Sequence, residues 1–505
     1  MRTKKLYIAM VLGTIASFGY SQNEVDALRY SQTFFGGSAR YIGMGGAFGA
    51  IGADISTIST NPAGLGRFSQ NQATFTMGNI ATNSSTNFSG TTTSSNGNRV
   101  RLDNIGIVFS SNREPKGKGW RNTQFTLAYN RLADFSSNRF YTGENYNSLL
   151  DVFAGQGNGI SPEFIFDFMP FTTALAWDNY ALDDFNDGFG NVFYAPRLTT
   201  GNMLHERSIV TRGGISEYSM AFSGNYLNTW YIGGSLNIQN TRYFENYSHT
   251  ERLLDPDGED RYFEDVFGVS LRSFTYDWEQ ISKGTGVNLK LGAIYAPIDD
   301  FRVGLAFHTP TVLRFNDTYR AGLNATHETE YWETPSNDEP QGRFSYRFAN
   351  PLRVIGSVGY VFMKRLAINV DAELSNYGWG NYRNANDPLM QTNWINENQM
   401  VKNVYRSTVN LRMGAEFALT PYLLVRGGFA YYPSAFDKTI NNQGGNHYFY
   451  SGGLGYRFSR LFIDLGYRYH QTTIDYYAFN PNDISNLALI NENKHHIVMT
   501  IGIRF

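Results

Sequence analysis

The sequence contains no cysteine, which excludes disulfide staples, thiolate metal sites and cysteine nucleophiles together. Charge is also scarce, at 17% of 505 residues against a norm near 25%. The two signs nearly cancel, with 42 basic against 44 acidic residues and a net charge of -2, so no global field draws the chain to nucleic acid or to an anionic surface. Long apolar runs are missing too: past the N-terminus none reaches the length of a membrane-crossing helix. Aromatic residues, at 16%, and 51 glycines are plentiful. They favour strands and exclude an all-helical bundle.

The first 21 residues are set apart. Arg2, Lys4 and Lys5 precede an apolar run from Leu6 to Phe18, and small residues in Gly19-Tyr20-Ser21 stand before Gln22. This is the pattern of a cleaved export signal, residues 1–21, too short to remain as an anchor. The exported chain is then either secreted or a membrane barrel, because only helices and closed barrels satisfy backbone polar groups in lipid.

Alternation decides between these. Ile497, Met499, Ile501, Ile503 and Phe505 alternate with His496, Thr500, Gly502 and Arg504. Leu461, Ile463, Leu465, Tyr467 and Tyr469 alternate with Asp464, Gly466, Arg468 and His470, and the stretches 366–374 and 409–417 repeat the pattern. Such runs are strands with one apolar face, and at about 10–12 residues they are long enough to cross a bilayer at a tilt. Reading on this basis predicts an all-β fold, an antiparallel transmembrane β-barrel of about fourteen strands. Tight turns at Leu227-Asn228, 297–300, 363–365, 419–421 and Ser459-Arg460 alternate with long polar stretches at 82–102, 133–215, 241–283, 310–342, 377–405, 433–446 and 472–493, the pattern of short periplasmic turns and long outer loops. Aromatics near strand ends, among them Tyr360, Phe362, Tyr422, Tyr431, Tyr432, Tyr450, Tyr456 and Phe458, are expected in the interfacial girdles.

Residues 22–70 precede the first strand and are too Gly-rich and apolar for a solvated tail. Gly43, Gly45 and Gly49 miss the dinucleotide-binding spacing, with Phe48 where the third glycine belongs. Instead, Ala39-Arg40 and Gly43-Met44-Gly45-Gly46-Ala47-Phe48, followed by Asn61-Pro62-Ala63-Gly64-Leu65, resemble the N-terminal hatch of the FadL/TodX family, outer-membrane channels for long-chain fatty acids and aromatic hydrocarbons. The resemblance implies an N-terminal hatch inside the lumen over 22–70, with Gly45, Gly46, Asn61, Pro62 and Gly64 shaping it, and a barrel over 71–505. It also implies an apolar pocket with a charged end near the hatch, an outer greasy groove, and passive uptake that ends through the hatch or sideways through a kink in an early strand. Phe505 on the last strand resembles the C-terminal signature read by the barrel-assembly machinery.

Catalysis finds little support: no G-x-S-x-G elbow or H-E-x-x-H occurs, and the eight histidines are scattered. The adjacent pair His495-His496 points to opposite strand faces. Neither a cofactor nor a metal is expected. The inward charges Lys290, Arg302, Arg412, Arg426, Arg457, Arg468 and Arg504, opposed by Asp371, Glu373, Glu416 and Asp464, suit a lumen network that holds the hatch. An arginine left over would take a carboxylate in two hydrogen bonds. The expected ligand-binding residues are Arg302, Arg412 and Arg426 in the lumen, with Phe164, Phe166, Phe168, Phe171 and Trp177 in the aromatic-rich third loop region. The expected function is a passive bacterial outer-membrane channel for hydrophobic molecules, whose partners are that substrate, outer-membrane lipid and the barrel-assembly machinery, with no nucleic acid. The alternative is a non-transporting adaptor or receptor, either a secretion-system partner or a haem receptor.

Overall fold

In the computed structural model, which describes residues 24–112, 119–197, 202–254, 271–327, 331–333, 339–385, 393–438, 440, 444–479 and 483–505, the alternating stretches form one closed antiparallel barrel. The expected signal, residues 1–21, lies outside the described residues. In chain order the strands are β1 (Gln72–Phe88), β2 (Thr91–Asn112), β3 (Trp120–Asp134 continued as Ser137–Asn145), β4 (Met203–Tyr226), β5 (Trp230–Leu253), β6 (Leu271–Tyr295) and β7 (Phe301–His308 continued as Val312–His327). They go on as β8 (Gln341–Ala349 continued as Arg353–Phe362), β9 (Leu366–Asn376 continued as Asn381–Asn384), β10 (Ser407–Ala418), β11 (Leu423–Tyr432), β12 (His447–Arg457), β13 (Leu461–Tyr477) and β14 (Leu487–Arg504). Each strand pairs with the next, and β1 closes on β14 from Gln72↔Arg504 to Phe88↔Ala488. The 14 crossings close into a ring, as lipid demands.

Pro310 and Pro351 sit in the breaks of β7 and β8, where a missing N–H ends the ladder. The turns Leu227-Asn228 and Met363-Lys364 put consecutive residues at positive φ (57° and 59°, 49° and 58°), the geometry of a two-residue hairpin turn that matches strand twist. Both termini of the barrel lie at this short-turn end, where Phe505 N donates to Asn71 O. Trp120 packs on Tyr226 and Trp230 on Tyr295 beside the same turns, an aromatic girdle.

Two expectations are corrected. The stretch 82–102 is no loop but the continuation of β1 and β2, closed by Ser89-Gly90. Likewise β5, β6, β7, β13 and β14 extend well into 241–283, 310–342 and 472–493, and β3 and β4 occupy both ends of 133–215. Strands standing in water need no apolar face, so their Ser, Thr and Asn carry none of the alternation that marks the membrane part. The apolar outer band gives way to charge where Arg242 pairs with Lys283, both exposed. Tyr432, expected in a girdle, faces inward and packs with Phe449. Its neighbour Tyr431 takes the outward register, and adjacent residues of a strand cannot share a face.

Residues 146–197 form a cap at the long-loop end. Its helix α1 (Leu149–Gly157) opens with a capping box, Ser148 and Asp151 bonding each other's backbone N–H groups. Leu150, Phe153, Ile165 and Leu175 pack on inward side chains of β6 and β7, among them Phe274, Tyr276 and Leu323.

Candidate functional site: a lumenal chamber against the N-terminal segment

Residues 24–71 lie inside the barrel as short helical pieces and turns, most of them buried. Ser38 caps the turn Ala39–Gly43, with its Oγ accepting from Tyr41 N, and Asn61 caps Pro62–Arg67, with its Oδ1 accepting from Ala63 N. The segment is tied to the wall by buried polar groups. Arg40 grips Glu416 with two bonds of 2.8 and 2.7 Å. Phe48 N and Gly49 N donate to Asp371, Ala39 N donates to Thr500 Oγ1 at 2.8 Å, and Lys290 Nζ donates to Ser59 O at 3.0 Å while bound to Glu217. Backbone meets backbone where the wall is glycine: a Cβ on Gly414 would stand 2.2 Å from Met44 O, and one on Gly428 would stand 2.2 Å from Gly45 N. Gly45 and Gly46 themselves hold φ of 62° and 72°, which side chains disfavour.

This geometry separates the expected ligand residues. Arg412 is paired with Glu373 at 3.0 Å, and Arg426 lies between Glu416 and Asp464 at 2.6 Å each. Both are committed to the wall network. Arg302 stands at the short-turn end, donating to Asp299 O. Phe164, Phe166 and Phe168 are exposed on the cap, whereas Phe171 is wedged against Trp278 and Tyr319 and Trp177 donates to Asp184. The structure does not bring these eight residues into one pocket.

A chamber of about 400 Å³ does open between the N-terminal segment and the wall. Leu28, Phe34 and Phe35 form one side of it and Leu132, Phe135 and Phe449 the other. Most of its cations are engaged: Arg101 with Asp103 and Asp134, Arg139 and Lys494 with Glu492. Arg468 differs. It donates to Phe35 O at 2.5 Å and lies over the Phe35 and Phe449 rings at 5.0 and 5.4 Å, and among the described residues no carboxylate stands within ion-pair distance of it. Sequence placed Arg468 inward by its register between Tyr467 and Tyr469. Only the tertiary pairing sets it apart from the other arginines.

Among the described residues, one stretch of the chamber's wall lacks a backbone ladder and is bridged by side chains alone, Arg101 to Asp134, Thr93 Oγ1 to Phe140 O and Asn138 Nδ2 to Asn96 O. The ladder between β2 and β3 runs from Asn112↔Asn122 to Asn104↔Asn130 and no further among the described residues. β3 then breaks at Phe135-Ser136, opposite Gly213 and Gly214 of β4 with φ of 112° and 156°. Phe34 N donates to Leu132 O at the edge of the chamber, so the N-terminal segment leans on the broken strand. Outside and below the gap, Phe75, Ile105, Leu127, Met220 and Ile238 line a concave apolar face of about 890 Å³.

A closed barrel with an apolar outer band, short turns at one end and its own N-terminal segment in the lumen defines a class, the transmembrane barrels of the outer-membrane type. Within it, residues 277–497 match the model of the outer membrane protein transport protein family (OMPP1/FadL/TodX). The N-terminal motifs and this stretch are separate parts of the sequence, and both resemble the FadL/TodX family of outer-membrane transport channels. Among solved structures, a FadL homologue of Pseudomonas aeruginosa is 13% identical with a TM-score of 0.54, over 94% of this chain and 99% of its own. The toluene transporter TodX of Pseudomonas putida is 13% identical with a TM-score of 0.53, over the same shares. These likenesses carry the fold. Comparison with curated protein sequences finds no match.

Proposed function

We propose that the protein is a passive channel of the bacterial outer membrane that takes up hydrophobic molecules, with long-chain carboxylic acids as the preferred class. One observation carries the reading: the chamber is walled by Phe34, Phe35, Leu132, Phe135 and Phe449 and holds one arginine, Arg468, with no carboxylate partner within ion-pair distance among the described residues. An apolar tail fits the phenylalanine walls and a carboxylate fits the guanidinium fork. The toluene transport named for TodX supports hydrophobic cargo in general. The exposed Phe164, Phe166 and Phe168 of the cap would be the first contact in water. The gap beside β3, above an apolar outer face, favours sideways release into the membrane. In this reading residues 1–21 are the export signal, 22–70 the hatch and 71–505 the barrel, no catalytic step is needed, and the barrel-assembly machinery reads the strand ending in Phe505.

The test is uptake by cells lacking their own fatty-acid channel. Arg468→Gln removes a charge-assisted pair worth roughly 1.5–3 kcal/mol, so the concentration for half-maximal uptake of a long-chain fatty acid should rise at least tenfold, while uptake of an uncharged aromatic hydrocarbon is unchanged. If the wild-type barrel carries neither compound, the channel reading falls and a non-transporting adaptor or receptor takes its place.

A further inference from the structure

His205, His249 and Glu251 meet in the part of the wall that rises beyond the apolar band, apart from the chamber. The β4–β5 register sets His205 opposite Glu251, and the spacing of two puts His249 and Glu251 on one strand face. All three are fully buried. One ligating atom from each lies within 4.8 Å of the others. His249 Nε2 is 2.8 Å from Glu251 Oε1 and His205 Nδ1 is 4.0 Å from it.

The hydrogen bonding supplies an independent observation. Among the described residues neither ring nitrogen of His205 has a partner, although the side chain is buried among Phe88 and Phe479, and Nδ1 of His249 is equally unmet. Buried polar groups are ordinarily satisfied, and a ring with two orphan nitrogens beside a carboxylate is an incomplete arrangement.

We propose that His205, His249 and Glu251 bind one divalent transition-metal ion, with Zn²⁺ the best fit, and that this ion, held by the wall alone, fixes the carboxylate on which the cap is anchored. Two imidazoles and a carboxylate are a donor set for zinc and its neighbours rather than for calcium or magnesium. Bonds of about 2.0–2.2 Å at tetrahedral angles set ligand atoms about 3.4 Å apart, so the 2.8 Å pair opens and the 4.0 Å pair closes by small side-chain rotations. The ion replaces the proton shared between His249 and Glu251, which leaves to solvent, and a water completes the fourth position. Glu251 is already oriented by the cap, with Oε2 accepting from Ser148 Oγ at 2.6 Å and Oε1 from Leu149 N at 2.8 Å, the kind of outer-shell support that metal ligands receive. The nearby cation, Arg207, is turned away to Tyr476 Oη and Ala478 O at 2.9 Å each.

Because the site is enclosed, the full chain is best refolded from denaturant in metal-free buffer, with and without one equivalent of Zn²⁺ or Co²⁺. The proposal expects one ion retained per barrel, visible Co²⁺ absorption that Zn²⁺ abolishes, and slower proteolysis of 146–197 when metal is present. His249→Ala and the isosteric Glu251→Gln should each weaken Zn²⁺ binding at least tenfold, while His470→Ala should not. Wild-type barrel that retains neither ion stoichiometrically overturns the proposal without any variant, as does unchanged affinity in folded Glu251→Gln.

Discussion

Thr500 and Ile501 are neighbours in β14 and meet different surroundings. Ile501 is 42% exposed, on the lipid side, whereas Thr500 is 0% exposed, bonded to Ala39 N and to Thr76 Oγ1. A charge on the lipid face near the midplane costs roughly 2–4 kcal/mol, so Ile501→Arg should sharply lower the yield of heat-modifiable barrel. Thr500→Arg keeps the lipid face intact and should give near-normal yield, but it displaces the backbone of Ala39, so its expected fault is leakage of small hydrophilic solutes. Equal yields from the two variants would invert the facing. The same scale shows what sequence could and could not tell. Asp371, Glu373, Arg412 and Arg426 are inward by alternation, as expected. That Arg412 and Arg426 are bound to carboxylates, and that His205 lies opposite Glu251, depends on register, which local pattern leaves open.

Among the elements, β3 is the informative one. Its break at Phe135-Ser136 contains no proline and no glycine, so nothing in its own sequence signals it; the cue lies in β4, where Gly213-Gly214 faces it from far along the chain. The breaks of β7 and β8, by contrast, are marked by Pro310 and Pro351. Deleting Phe135 and Ser136 together preserves the in–out parity of the strand and should allow β2 and β3 to pair further. The expected outcome is a folded barrel whose fatty-acid uptake falls at least tenfold, measured with a labelled substrate; normal uptake by a folded deletion variant would mean that the gap is not the exit. The polar hairpin of β1 and β2 was hidden for the opposite reason, since Thr91 to Asn98 has water-compatible side chains on both faces.

At the scale of the molecule, the fourteen crossings were legible because lipid imposes strict alternation, and the N-terminal segment because its motifs resemble a known hatch. The cap was legible only as aromatic density. Two outcomes test the assembled whole. Protease added to intact cells should cut within 146–197 and spare the turns at 227–229, 297–300, 363–365 and 459–460. Removing residues 22–70 behind a retained signal should leave a folded pore, because the wall closes through β1 and β14 without them, yet one that passes small hydrophilic solutes and no longer selects long apolar molecules. A deletion variant that stays sealed would show that the segment is not the barrier.

The wall is also uneven in height. β10, β11 and β12 have 12, 10 and 11 residues, whereas β4, β5 and β6 have 24, 24 and 25. At about 3.3 Å per residue and a tilt near 45°, the difference is about 30 Å of rise. The rim is therefore cut on a slant, and the molecule has a front and a back within the plane of the membrane. A straight cylinder could turn about its axis unnoticed by its neighbours. This one cannot: lipids and proteins drifting past meet strands about twice as long on one side as on the other, so every lateral encounter has a compass bearing.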